Sequence, residues 1–199
     1  MPKVWRILLT LSCALALFFL LWRSPPKELS DLLSTTTEAP IYPSSYLQGV
    51  QTKQYDKQGK LSYILHAETI AYFDKNKAPQ AEVTLDQPHL TLFSEQDNEA
   101  PWLVSSKRAE GSENQDELML IGDVIIQQTQ ENGQQTQLAT PELLIRPSRR
   151  YAETDKPVII TDETGITQAK GLKVFFDEKR IELLSNVTGE YQNPQQIQP

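Results

Sequence analysis

The side chains that could do chemistry in this 199-residue chain are few and widely spaced. Its only cysteine is Cys13, and its only two histidines are His66 and His89. No second histidine or cysteine stands at the spacing of a zinc site or of a nucleophile–histidine pair. The carboxylates lie mostly in turns, where solvation and turn chemistry explain them, and no glycine-rich phosphate loop is present. The sequence therefore predicts no catalytic residue, no metal site and no cofactor.

The composition excludes further classes of partner. Apolar residues make up 39% of the chain and charged residues 23%, which is ordinary for a folded domain. The formal net charge of -7 argues against a nucleic-acid partner, because no basic surface is available to follow a phosphate backbone. It argues equally against charge-driven adhesion to an anionic membrane surface.

The remaining signal is a repeat of a β-strand, a polar or Gly/Pro corner, and an apolar residue that opens a second strand. The clearest copy runs from Leu118 to Ile126 and reads LMLIGDVII. The apolar residues that close the motif recur at spacings of 34, 34 and 29 residues; they are Leu90, Val124, Val158 and Val187. Such a period indicates stacked supersecondary units that bury one shared core.

Alternation within the repeats predicts which residues face inward. From residue 46 onward, β-type runs alternate with turn clusters such as Asn132-Gly133, a strong hairpin signal. No window has helical spacing of apolar residues, so we predict one all-β domain over residues 45–191. The predicted inward-facing residues are Val83, Leu85, Leu90, Leu92, Leu118, Leu120, Val124, Ile126, Val158, Ile160, Ile181, Leu183 and Val187.

The N-terminal segment predicts a transmembrane helix. From Val4 to Trp22 only three residues are not apolar, and 19 helical residues span roughly 28 Å, close to the thickness of the hydrocarbon core. We assign residues 1–23 to the anchor, with a cytoplasmic N-terminus because short basic N-terminal segments stay inside. Residues 24–44, rich in Pro, Ser and Thr, are predicted to be a tether. The polar residues 192–199 are predicted to be a disordered tail.

Three alternatives for the apolar segment fit less well. A signal peptide could be cleaved after Ala14-Leu15-Ala16, but cleavage there would expose the apolar run of residues 17–22. Lipidation of Cys13 would need a better lipoprotein box than Thr10-Leu11-Ser12. A buried core helix is disfavoured because the segment is apolar on every face and is followed by a Pro-rich linker.

Several segments of the chain follow the pattern of a known family: Gly49 to Asp56 followed by Gly59, then Tyr63 to Phe73, Gln87-Pro88, Leu118 to Val124, and the polar Gln/Pro tail. Together with the anchor and the tether, these segments resemble the LptC family, the bitopic inner-membrane component of the lipopolysaccharide export machinery. Only one of the four repeat corners keeps the Gly-Asp-Val form, and residues 95–101 read as a longer loop.

The resemblance implies a twisted, partly open β-jellyroll of repeated antiparallel strands, preceded by a single N-terminal transmembrane helix. It implies transport of lipopolysaccharide from the inner to the outer membrane, with the domain in the periplasm. The implied partners are lipopolysaccharide, the inner-membrane ABC transporter and the periplasmic bridge protein LptA. An apolar trough can hold acyl chains without catalysis, since each buried methylene contributes about 0.8 kcal/mol.

The edge strands are the predicted protein contacts, because an unpaired edge can accept a strand from a partner. Val50, Thr52 and Gln54 are predicted on the transporter side, and Val187, Gly189 and Tyr191 on the bridge-protein side. Two other functions stay open: an anchored periplasmic scaffold that binds only proteins, and an anchored carbohydrate-active sandwich. For each inward residue, core packing and lipid contact both remain possible roles.

Overall fold

The computed structural model describes residue 18 and residues 42–74, 81–94, 99–112, 116–130 and 132–191. The predicted anchor (Phe18 apart), the tether up to residue 41 and the tail therefore lie outside the described residues. Within the described part, no helix is long and apolar enough to cross a membrane. The chain divides into two compact units, Met1–Ile41 and Tyr42–Pro199, and the described strands all belong to the second.

The described part of this unit is built from strands and one short 3₁₀ helix, Pro147–Arg149. Every strand pairing is antiparallel, which confirms the predicted all-β antiparallel class. The strands are β1 Ser45–Tyr55, β2 Leu61–Tyr72, β3 Val83–Asp86, β4 His89–Leu92, β5 Trp102–Ser105, β6 Arg108–Gly111, β7 Leu118–Thr129, β8 Gln135–Arg146, β9 Tyr151–Asp162, β10 Gly165–Phe175 and β11 Arg180–Tyr191.

All these strands belong to a single sheet. Strands β3 and β4 both pair with β2. Strand β6 then pairs with β3, and β5 pairs with β4, so the four short strands act as two long, interrupted ones. From β7 to β11 each strand pairs with the next along the chain. At the other end β1 pairs with β2. The first three predicted repeats therefore each correspond to two long antiparallel strands, and the last, around Val187, corresponds to β11.

The long strands change direction at corners where the backbone leaves the extended conformation. Gln87, Asp123 and Asn186 have φ angles of 47°, 47° and 52°, and Gly171 has φ 80°. Asn and Asp enter this left-handed region more readily than other non-glycine residues. The strand register shifts at several of the same places, as in a β-bulge. Asp123 and Asn186 lie directly before the predicted closing residues Val124 and Val187, and Gln87 lies three residues before Leu90.

Adjacent corners are hydrogen-bonded to one another and form a continuous corner line across the sheet. The backbone N–H of Gln87 donates to the carbonyl of Lys107, and the N–H of Lys107 donates to the carbonyl of Gly122, both over 2.9 Å. Further along, the Thr140 hydroxyl donates to the carbonyl of Pro157 over 3.0 Å. The corner line therefore keeps its backbone groups satisfied although the regular ladder is interrupted.

The corner line divides the sheet into two half-sheets that fold over each other. One continuous core of apolar side chains lies inside the fold, so the sheet has the form of a β-jellyroll. Half-sheet A contains residues 50–55, 61–67, 89–92, 102–105, 124–129, 135–140, 158–162, 165–170 and 187–191; half-sheet B contains residues 45–48, 69–72, 83–86, 108–111, 118–121, 142–146, 151–154, 172–175 and 180–184.

A substitution at Gly171 tests how closely the strands approach each other at the corner line. A Cβ at this position would lie 2.9 Å from Cδ1 of Leu184 and 3.2 Å from the carbonyl of Thr154. We expect Gly171→Ala to lower the free energy of unfolding by about 2–3 kcal/mol, from left-handed strain plus the clash. Gly133 is the matched control, because it has φ 85° but no atom within 4 Å of an added Cβ. Gly133→Ala should cost only about 1 kcal/mol in urea unfolding; equal losses would contradict close packing at the corner.

Candidate functional site

The inner face of the folded sheet is apolar from strand to strand. In half-sheet A one row of directly opposed residues crosses the whole sheet: Thr52, Leu65, Leu90, Val104, Ile126, Leu138, Ile160, Thr167 and Gly189. A second row crosses half-sheet B: Ser45, Tyr72, Val83, Gly111, Leu118, Ile145, Ala152, Val174 and Ile181. Polar residues or glycine stand at the ends of these rows, but Val50 on β1 and Ile181 and Leu183 on β11 pack against the same core, so apolar side chains reach from β1 to β11.

Nine of the thirteen predicted inward residues are at most 4% exposed. Ile160, Ile181 and Leu183 are partly buried and pack against the same core. Val187 differs from the rest, because 53% of its surface is exposed. It lies on the last strand, just beyond the β11 corner, and does not belong to the buried core. The nine well-buried residues are Val83, Leu85, Leu90, Leu92, Leu118, Leu120, Val124, Ile126 and Val158.

The terminal strands β1 and β11 each have one neighbour among the described strands. On β1, Val50 and Thr52 are half-buried opposite Ala67 and Leu65, while Gln54 is exposed opposite Tyr63. On β11, Val187, Gly189 and Tyr191 are exposed. Both predicted edge sets therefore lie on strands with a free backbone edge, where a partner strand can be added.

Exposed apolar side chains accompany both edges. Leu47, opposite the buried Ile70, is 44% exposed at the half-sheet B end of β1. Val187 and Tyr191 are 53% and 73% exposed at the half-sheet A end of β11. Tyr55 at the half-sheet A end of β1 and Leu184 in the half-sheet B part of β11 are each 52% exposed as well. Both edges therefore offer apolar surface on both half-sheets.

The border opposite the corner line, which we call the far border, is closed by side chains. The rings of Trp102 and Phe176 meet edge to face with centroids 5.7 Å apart. Nζ of Lys179 lies 2.7 Å from Oε1 of Glu99, and this hydrogen bond lowers the pKa of Glu99. Tyr63 shares a side-chain hydrogen bond with Ser148, and burial raises the pKa of Tyr63. We call these six residues the clasp.

The outer face of half-sheet B is polar and ionic by contrast. Arg146 donates to Oε2 of Glu117 over 2.8 Å and to Oε1 of Glu153 over 2.9 Å. The bond from Arg146 lowers the pKa of Glu153. A shallow groove of ≈ 300 Å³ on this side is lined mainly by apolar side chains, among them Met119, Leu144 and Leu184. The outer face therefore combines ion pairs with one small apolar groove, whereas the aliphatic rows cross the inner face from strand to strand and make it the candidate site.

The structure also brings together two residues that the sequence spacing left apart. His66 on β2 stands directly opposite His89 on β4, and both are exposed. Each precedes a residue that flanks a corner, Ala67 or Leu90, so strand register could have revealed the pairing. Two imidazoles fall short of the four ligands of a structural zinc site. Within the described ranges, no group of three or more His, Cys, Asp or Glu side chains could hold a metal ion.

The chain matches a family of known proteins and resembles solved structures. The family model described as "Lipopolysaccharide-assembly, LptC-related" matches residues 7–192. A solved structure of LptH from Pseudomonas aeruginosa, the LptA homologous periplasmic component of the lipopolysaccharide transport device, is similar with a TM-score of 0.43 and 8% identity. The match covers 78% of this chain and 97% of LptH. No curated protein matches the chain.

Two valines that share one predicted role differ in burial and provide a matched test of core packing. Val158 is 1% exposed, whereas Val187 is 53% exposed. We expect Val158→Ala to lower the free energy of unfolding by about 2 kcal/mol, because buried methyl groups are lost and a cavity remains. Val187→Ala should change it by no more than about 0.5 kcal/mol. Denaturant unfolding of both variants measures this, and a large loss at Val187 would place that residue in the core.

Proposed function

The chain belongs to the LptC family of lipopolysaccharide-assembly proteins, and we propose that it carries lipopolysaccharide across the first periplasmic step of export. Family membership supports a role in lipopolysaccharide transport. In the proposed mechanism the domain receives lipopolysaccharide from the inner-membrane ABC transporter, holds its acyl chains on the inner face, and passes it to the bridge protein LptA. Residues 1–23 anchor the chain in the inner membrane, with the N-terminus cytoplasmic and residues 45–191 periplasmic.

The observation that carries this proposal is the continuity of the inner face between two free edges. The buried core, with the partly buried apolar side chains packed against it, reaches from Val50 on β1 to Ile181 and Leu183 on β11. An acyl chain moving between them stays on apolar surface, and each buried methylene contributes about 0.8 kcal/mol. The thirteen inward residues given above, from Val83 to Val187, are the proposed acyl-chain contacts. The energy for movement comes from the transporter.

The proposed polarity follows from the position of each edge along the chain. Strand β1 follows the tether directly, so Val50, Thr52 and Gln54 are assigned to the transporter side. Strand β11 ends the domain, so Val187, Gly189 and Tyr191 are assigned to the LptA side. Strand addition at each edge would extend the sheet and its apolar inner face into the neighbouring protein.

The second candidate function is a membrane-anchored periplasmic scaffold that binds proteins and no lipid. The burial of the inner face favours it, because Val83, Leu85 and Leu143 have no exposed surface. The two functions differ in cargo: only the transport function requires lipopolysaccharide to copurify with the chain.

Photo-reactive residues on the two faces test the lipid contacts. Placed at Leu120, Val124, Val158 and Leu183, they should crosslink to lipopolysaccharide in membranes that contain the export system. The controls are Met119, Asp123 and Glu182, which should crosslink at least about tenfold less because they lie on the outer face or at a corner. Circular dichroism of each variant confirms that it is folded. Equal labelling of both sets would mean that the inward assignment does not describe lipid contact.

Truncation after Ser185 tests the polarity of the edges. It removes Val187 to Tyr191 and leaves the anchor, β1 and the half-sheet B part of β11 in place. We expect the truncated chain to copurify with the transporter but to lose capture of LptA. A chain ending at Tyr191 is the control and should keep both partners. Loss of the transporter with retention of LptA would reverse the proposed polarity.

A further inference from the structure

The interior of the fold is closed to solvent in this structure. Leu85, Leu92 and Leu143, together with Leu172, have no exposed surface. A solvent-sized probe cannot reach these side chains, so an acyl chain cannot reach them while the two half-sheets remain in contact. Lipid uptake onto the inner face therefore requires the half-sheets to separate along one border.

The borders of the fold differ in how they can open. At the corner line the two half-sheets are covalently continuous, and backbone hydrogen bonds such as Lys107 N–H to the Gly122 carbonyl join neighbouring corners. At β1 and β11 the borders are strand edges, where opening would not uncover the centre of the sheet. At the far border, among the described residues, turns and strand ends meet. Opening this border uncovers the centre of the inner face without breaking a pairing between the described strands.

The contacts across the far border are made by side chains. In the described part of the chain, each strand pairing near this border connects two strand segments of the same half-sheet. The Lys179–Glu99 ion pair has side chains 52% and 20% exposed, and ion pairs in contact with solvent contribute little to stability. The Trp102–Phe176 contact adds a specific aromatic geometry.

The phenylalanine of the clasp also belongs to a rigid platform. The N–H of Phe176 donates to the carbonyl of Arg150 over 3.0 Å, and Arg150 is paired with Asp177. Phe176 and Lys179 therefore move with the β10–β11 turn and with the turn that precedes β9, whereas Trp102 and Glu99 move with half-sheet A. The clasp joins two bodies that are each held together internally.

We propose that the far border is where acyl chains enter the domain, and that the clasp is the gate that opens to admit them. This inference rests on the proposed function and adds the route of uptake to it. Opening breaks the Lys179–Glu99 and Tyr63–Ser148 contacts and separates Trp102 from Phe176, while the corner line acts as the hinge. The headgroup stays outside, because the inner face holds no charged side chain among the proposed contacts.

A reversible lock across the far border tests the gate. In the full chain with Cys13→Ser, the pair Glu99→Cys and Lys179→Cys is joined by a short bismaleimide with a reducible spacer. A photo-reactive residue at position 120 reports acyl chains inside the domain, and purified lipopolysaccharide is the probe. We expect the locked protein to crosslink lipopolysaccharide at least tenfold less than the same protein after reduction of the spacer.

The matched control is a lock of the same chemistry at the corner line. Lys107 and Asp123 form an exposed ion pair with the same 2.7 Å separation, so Lys107→Cys with Asp123→Cys carries an equivalent linker. This lock should change crosslinking less than twofold. Equal loss with both locks, or no loss with the far-border lock, overturns the gate.

Failure of the gate and failure of the proposed function give different results. If the reduced protein crosslinks lipopolysaccharide and the lock has no effect, transport stands and the gate is wrong. If even the reduced protein never crosslinks lipopolysaccharide, the proposed function is wrong and the gate fails with it.

A variant that weakens the clasp should raise the rate of lipopolysaccharide loading instead of lowering it. Lys179→Ala removes the ion pair with Glu99 and should load lipopolysaccharide about two- to fivefold faster than the native chain. Slower loading would count against the gate.

Discussion

The fold depends on the need of each backbone N–H and C=O group at the corners to find a partner. A sheet with one apolar face must bury that face, and here the sheet folds along a line and covers its own inner surface. Folding along this line would leave backbone groups without hydrogen-bond partners unless neighbouring corners bonded to each other. The hydrogen bonds from Gln87 to Lys107 and from Lys107 to Gly122 supply those partners. The hydroxyl of Thr140 serves the same purpose between β8 and β9. Inner face, edges and far border all follow from this line.

Because the sheet covers its own inner surface, its two half-sheets must cross one another. The contacts across the far border join β5 of half-sheet A to the β10–β11 turn of half-sheet B. The half-sheets therefore overlap obliquely, as twisted sheets do. Exposed apolar side chains remain at both edges, with Leu47 and Tyr55 on β1 and Leu184 and Val187 on β11. A partner strand added at either edge would meet apolar surface as well as unpaired backbone groups.

Stability and uptake place opposing demands on the same surface. The aliphatic residues that hold the half-sheets together are the proposed contacts for acyl chains, so a lipid must replace core contacts that it disrupts. Such an exchange is feasible because one apolar contact substitutes for another with little directional preference. A border held by an aromatic contact and a solvent-exposed ion pair suits that exchange better than one held by backbone ladders.

Alternation and turn residues are local signals, so the all-β class, the inner-face residues and most corners could be predicted from the sequence. Leu120, Val124 and Val158, which alternation placed on the inner face, are buried. Segments such as Trp102–Ser105 are too short to carry a clear period and are strands because neighbours complete their ladders. The exposure of Val187, the pairing of His66 with His89, and the clasp became visible in the folded chain. Each depends on contacts between residues far apart along the chain, which local periodicity does not encode.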